Sequence, residues 1–100
     1  MNKEELEEYL EANSGIKEKF MDKALDYQVI KNKNRQPAKR WEFNRVEREA
    51  EKMYNKVLDS IYDKLKTAIK SSDSKKWKMF IDENYVFEDL EDSMSEMVFE

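Results

Sequence analysis

The chain has 100 residues, a length for one domain over residues 1–100, with 42% charged and 39% apolar side chains and a net charge of −4. It has no cysteine and no histidine, which excludes a disulfide framework, a thiolate nucleophile, an imidazole base and cysteine- or histidine-ligated metal centres. A single glycine, Gly15, cannot supply a phosphate-cradling glycine loop.

Leu, Ile, Val and Phe together number 21, just above the roughly 20% at which disorder becomes the default, and two Trp and five Tyr add buriable surface. A small folded core is therefore expected. No apolar run approaches the roughly 18 residues of a membrane span, and the acidic N-terminus lacks the apolar stretch of a signal peptide. The expected setting is reduced and cytoplasmic, without membrane contact.

Helical spacing dominates. Leu6, Tyr9 and Leu10 mark a short amphipathic helix that ends near Gly15. Ile16, Phe20, Ala24 and Tyr27 place a second helix at about 16–31, with Asn13 or Ser14 as its cap. Residues 32–40 are polar, hold the only proline and read as a connector. Phe43, Val46, Ala50, Met53, Val57, Ile61, Leu65 and Ala68 then recur at steps of three and four, widened by Tyr54, Leu58, Tyr62 and Ile69. That stripe predicts one long central helix at about 41–70. It starts either with Pro37 at the first helical position or with Asn44 capping against Glu47, and it ends at the polar run of residues 71–74.

Residues 74–99 admit two readings. Asp73 or Ser74 could cap a helix carrying Trp77, Phe80 and Ile81, followed by another carrying Phe87, Leu90, Met94 and Met97. Residues 77–81 and 85–87, aromatic and β-branched, could instead pair as a hairpin across a polar turn. Helices are preferred, because acidic residues are poor strand formers. The expected fold is all-α: a small bundle of three to five helices around the long one, its core small enough that a homodimer could share part of the 54–69 stripe.

Charge is segregated along the chain. Residues 1–13 carry −4, residues 14–30 balance, residues 31–45 carry +5, residues 46–70 carry +1, residues 71–81 carry +2 and residues 82–100 carry −8. The basic segment contains Arg35, Lys39, Arg40 and Arg45 with Trp41 among them. It continues as Arg48, Lys52 and Lys56 along a helix face opposite the apolar stripe. Cations beside an aromatic suit a phosphate backbone, so these residues are candidate polyanion ligands. The plainer reading is a solvated face with Glu49, Asp59 and Asp63 pairing along it.

The acidic segment contains Asp82, Glu83, Glu88, Asp89, Glu91, Asp92, Glu96 and Glu100, interleaved with Phe87, Leu90, Met94 and Met97. Glu88, Asp89, Glu91, Asp92 and Glu96 are candidate partner-binding residues, able to occupy a cationic surface of a nucleic-acid-handling protein. The plainer reading is a helix packed on its own core with acids facing water or the basic middle. Adjacent carboxylates on a helix point about 100° apart, and no spacing singles out a nucleophile or base, so no catalytic residue, metal or cofactor is expected.

In composition alone, the small size, the Lys/Glu/Asn-rich make-up and the missing catalytic groups resemble accessory proteins of low-GC Gram-positive phages and plasmids. That resemblance covers no motif and carries over no residue. The expectation is a non-enzymatic binding protein, an inhibitor or adaptor of a nucleic-acid-handling machine. Direct DNA or RNA binding through residues 31–56, or an immunity-type protein-binding bundle, are the alternatives.

Overall fold

The computed structural model describes residues 1–99, among which there are five α-helices and no strand. They are α1 (Lys3–Asn13), α2 (Ile16–Lys33), α3 (Phe43–Ile69), α4 (Ser74–Glu83) and α5 (Val86–Glu96), with a 3₁₀ turn at Pro37–Lys39 between α2 and α3. At 1.5 Å per residue, the 27 residues of α3 extend about 40 Å and set the long dimension of a 51 × 23 × 21 Å molecule. The expected all-α bundle around one long central helix is what forms. The hairpin alternative for residues 74–99 does not.

The burial period explains why. In a strand Trp77, Met79 and Ile81 would share one face. Instead Trp77 and Ile81 are each 1% exposed while Met79 is 58% exposed, the pattern of a helix with one buried stripe. The Asp73 side chain caps α4 by accepting the Lys75 N–H at 2.9 Å. Trp77 then stacks on Tyr62 of α3, ring centres 5.3 Å apart, and donates its indole N–H to the Ser71 carbonyl at 2.6 Å. This contact ties α4 to both α3 and the turn that joins them.

Helix α1 begins with a reciprocal capping box between Asn2 and Glu5. It buries Leu6 and Leu10 and sets Tyr9 5.6 Å from Phe87 of α5. Helix α2 runs back along α3, burying Ile16, Phe20, Ala24 and Gln28 at steps of four. One continuous core joins Leu6, Leu10, Ile16, Phe20 and Ala24 to Ala50, Tyr54, Leu58, Ile61 and Leu65 of α3 and to Trp77, Ile81, Phe87 and Met94.

Several local expectations are revised. Helix α3 starts at Phe43, with Glu42 at its N-cap and no side-chain cap bond. Asn44 lies inside the helix, and Pro37 opens the 3₁₀ turn instead. Neither Asn13 nor Ser14 is the N-cap of α2. That position is Gly15, whose N–H is taken by Glu91 from α5. With no glycine nearby to take a left-handed residue, α3 ends on Lys70 at φ 55°, and α4 passes to α5 through Tyr85 at φ 52°.

Tyr54 is buried in the core as the stripe predicts, yet its hydroxyl has no hydrogen-bond partner. Burial, followed by the charges of Glu11 and Glu7, pushes its phenol far above the ordinary tyrosine range. A buried donor without an acceptor is destabilising, so Tyr54→Phe is expected to raise stability by about 1 kcal/mol. Urea denaturation of the two proteins checks this; a destabilised phenylalanine variant would show that the hydroxyl is satisfied in solution.

Candidate functional site

The basic connector folds around Trp41 at the end of the molecule where α2 stops and α3 starts. Asn32, in the last turn of α2, holds Trp41 by both backbone groups: its side-chain amide donates to the Trp41 carbonyl at 3.0 Å and accepts the Trp41 N–H at 2.8 Å. The guanidinium carbons of Arg35 and Arg45 lie 3.9 and 4.2 Å from the Trp41 ring centre. Two guanidinium groups that close to one ring would overlap on a single face, so they take opposite faces. The indole is thus a spacer between two arginines no more than about 8 Å apart, and its faces are occupied.

Arg40 closes the other side of the connector. Its Nε donates to the Arg35 carbonyl at 3.3 Å and its Nη2 to the Lys33 carbonyl at 3.1 Å, satisfying acceptors at and just beyond the end of α2. Lys39, Arg40, Arg45, Arg48 and Lys52 are exposed, and Arg35 is half-buried with its Nε enclosed and unpartnered. Among the described residues no carboxylate pairs with Arg35, Lys39, Arg40, Arg45 or Arg48; Lys52 pairs locally with Glu49 at 3.2 Å. Of the other acids expected beside the ridge, Asp59 pairs with Lys3 of α1, and Asp63 makes no ion pair among the described residues. The cleft of about 560 Å³ bounded by Arg40, Trp41, Arg45 and Arg48 also contains Glu42, Glu47 and Glu51.

One core expectation fails here in a useful way. Phe43 heads the apolar stripe, yet it is 60% exposed, because the stripe runs past the end of α2. Val46, one turn further in, is 2% exposed but lies outside the main core cluster. Trp41 and the arginines around it are legible in the sequence as a basic segment, but Asn32, which holds Trp41 in place, is not. Asn32 lies nine positions from Trp41, and a polar side chain at that distance carries no periodic signal.

The acidic residues divide into two groups. Glu88, Asp92 and Glu96 recur every four residues on α5 with Asp89 beside them, all exposed and none in an ion pair among the described residues. Glu91 faces inward: Oε1 accepts the Gly15 N–H at 2.5 Å, and Oε2 lies 3.7 Å from Lys19 Nζ. Asp82 accepts the Tyr9 hydroxyl at 3.1 Å; partial burial and then this carboxylate raise the Tyr9 phenol above its ordinary range. Glu83 is exposed, and Glu100 lies outside the described residues.

Glu91 therefore acts as a long-range N-cap that joins α5 to the α1–α2 corner. Glu91→Ala is expected to cost about 1–2 kcal/mol of stability, more than the same change at exposed Asp92. Paired thermal melts of the two variants check this, and equal losses would refute the capping role.

No ion pair links the acidic residues 82–99 to the basic residues 31–56 among the described residues. No cluster of three or more Asp or Glu is arranged to hold a metal ion among them, and no helix is long and apolar enough to cross a membrane. The fold is thus an all-α bundle with a cationic tip at the α2–α3 junction and an anionic face on α5. Compared with protein-family models, curated proteins and solved structures, the chain matches none.

Proposed function

We propose that this chain is a non-enzymatic nucleic-acid-binding protein that grips phosphates through the α2–α3 tip. The observation that carries this reading is the Arg35–Trp41–Arg45 stack, set among cations with no carboxylate partner in the described fold. Intramolecular ion pairs would have spent that charge; their absence leaves it available to an external anion. Stacking on the indole fixes guanidinium orientation before a ligand arrives, which lowers the entropy lost on binding. Phosphate contacts by five or six cations make affinity fall steeply with salt, with a log–log slope near −0.9 per duplex phosphate and near −0.7 per single-strand phosphate.

The test is fluorescence polarisation with labelled DNA and RNA across a salt series. Binding at low salt with a slope corresponding to several phosphates is expected. Absence of binding at low salt removes the reading.

A second reading concerns α5 and is favoured by Tyr85. Its side chain is 66% exposed, on a left-handed backbone, between the acidic pairs Asp82-Glu83 and Glu88-Asp89. An exposed tyrosine amid carboxylates suits a cationic protein surface, as in an inhibitor or adaptor of a nucleic-acid-handling machine. Converting Glu88, Asp89, Asp92 and Glu96 to Lys, while leaving Glu91 in its capping role, should abolish capture of such a partner. Unchanged capture would sink this reading without touching the first.

A further inference from the structure

We infer that the trough between α3 and α5 binds a free long-chain carboxylate, its alkyl chain on apolar walls and its head group held by Lys56 and Lys64. This goes beyond the nucleic-acid reading and does not depend on it.

The trough follows from how the helices pack. Helix α5 packs against α2 and α4 rather than directly on α3. The gap is a cavity of about 410 Å³, within the roughly 300–1,000 Å³ of small-molecule sites. Val57, Ile61 and Leu65 form one wall and Val86, Leu90 and Met94 the other, each set at steps of four. The remaining lining residues are Lys56, Ser60 and Lys64, also at steps of four, along one edge of α3. Ligand sites combine apolar walls with a few fixed polar groups in this way.

The polar edge specifies the head group. No carboxylate lines the trough, although α5 carries most of the acidic residues of the −8 segment. Glu91, the inward-facing acid of α5, is turned to Gly15 instead. Lys56 and Lys64 are exposed and make no ion pair among the described residues. Each stands about one turn from Ser60, so their long flexible side chains can converge on an anion placed over that residue. A carboxylate there accepts charge-assisted hydrogen bonds while its chain lies between the walls.

The apolar area decides between a small molecule and a protein. Ile61, Leu65 and Met94 are already buried, so half-buried Val57, Val86 and Leu90 are what the walls have left to cover. A stable protein interface needs on the order of 1,000 Å² in total, which three half-buried side chains do not approach. A second copy related by a two-fold would set trough against trough and leave the space between them empty. A single alkyl chain fills it.

The experiment titrates the full chain with dodecanoate below its micelle concentration, by calorimetry and by backbone amide NMR. Dodecanoate is expected to bind about tenfold more tightly than dodecanol, because the head-group contact is charge-assisted. Octanoate, four methylenes shorter, should bind at least about tenfold more weakly than dodecanoate. The largest amide shifts should fall within residues 56–65 and 86–94. Lys56→Gln with Lys64→Gln should lose the tenfold advantage over dodecanol and leave dodecanol binding unchanged; circular dichroism checks that this variant is folded. Absence of dodecanoate binding, a dodecanol affinity equal to that of dodecanoate, or a lysine variant that binds dodecanoate like wild type overturns the inference. So do shifts centred elsewhere on the chain, and so does sedimentation with phosphatidylglycerol vesicles that free dodecanoate fails to compete.

Discussion

A variant with Arg35, Arg45 and Arg48 changed to Gln is expected to bind nucleic acid on the order of 10³-fold more weakly than wild type. Charge-assisted contacts contribute about 1.5 kcal/mol or more each, and tenfold in affinity corresponds to about 1.4 kcal/mol. The log–log salt slope should fall by roughly two to three units, near 0.7 for each single-strand phosphate lost or 0.9 for each duplex phosphate. A companion variant separates charge from geometry. Arg35→Lys with Arg45→Lys keeps both charges but loses the planar groups that stack on Trp41. It should keep the salt slope of wild type and still bind more weakly, because the cations are no longer held in place. A lysine variant indistinguishable from wild type would reduce Trp41 to a local packing residue. Melting curves should move only modestly for these proteins, since Arg45 and Arg48 are exposed and only half-buried Arg35 gives up packing.

The largest loss of stability is expected from Trp77→Ala, at about 3–5 kcal/mol. The side chain is 1% exposed, stacks on Tyr62 and holds the Ser71 carbonyl, so truncation opens a cavity and leaves a part-buried acceptor without its donor. Domains of this size have about 5–15 kcal/mol in total, so the variant would retain a small margin or none. Trp77→Phe keeps a ring against Tyr62 but cannot donate to Ser71, and should cost about 1–3 kcal/mol. Urea denaturation followed by circular dichroism orders the three proteins. A phenylalanine variant as unstable as the alanine one would mean that the hydrogen bond, rather than ring packing, holds α4 in place. Trp77 is also remote in sequence from the cationic tip, so its conservative variant should keep the nucleic-acid affinity of wild type while folded.

Much of the scaffold follows from local sequence. A run of apolar residues from Val46 to Leu65 at steps of three and four, uninterrupted by glycine or proline, leaves a long helix as the consistent outcome. Asp73 caps α4 because a short acidic side chain can reach the Lys75 N–H from the residue before the helix. Charge segregation is likewise a property of order along the chain. It is legible in the order of residues alone, as a +5 connector and a −8 segment.

Tertiary structure decided which charges are spent and which remain. Glu91 and Asp92 are neighbours with the same chemistry, yet a rotation of about 100° sends one to Gly15 and the other to solvent. Phe43 and Val46 belong to one apolar stripe, and the end of α2 between them separates an exposed ring from a buried side chain. The sequence places Trp41 as an aromatic among cations; Asn32 and two arginines make it a fixed spacer. Periodicity records which face of a helix an amino acid occupies, and composition records how much charge there is. Where a facing helix stops, and which donor stands opposite an acceptor many residues away, depend on distances in space that neither quantity encodes.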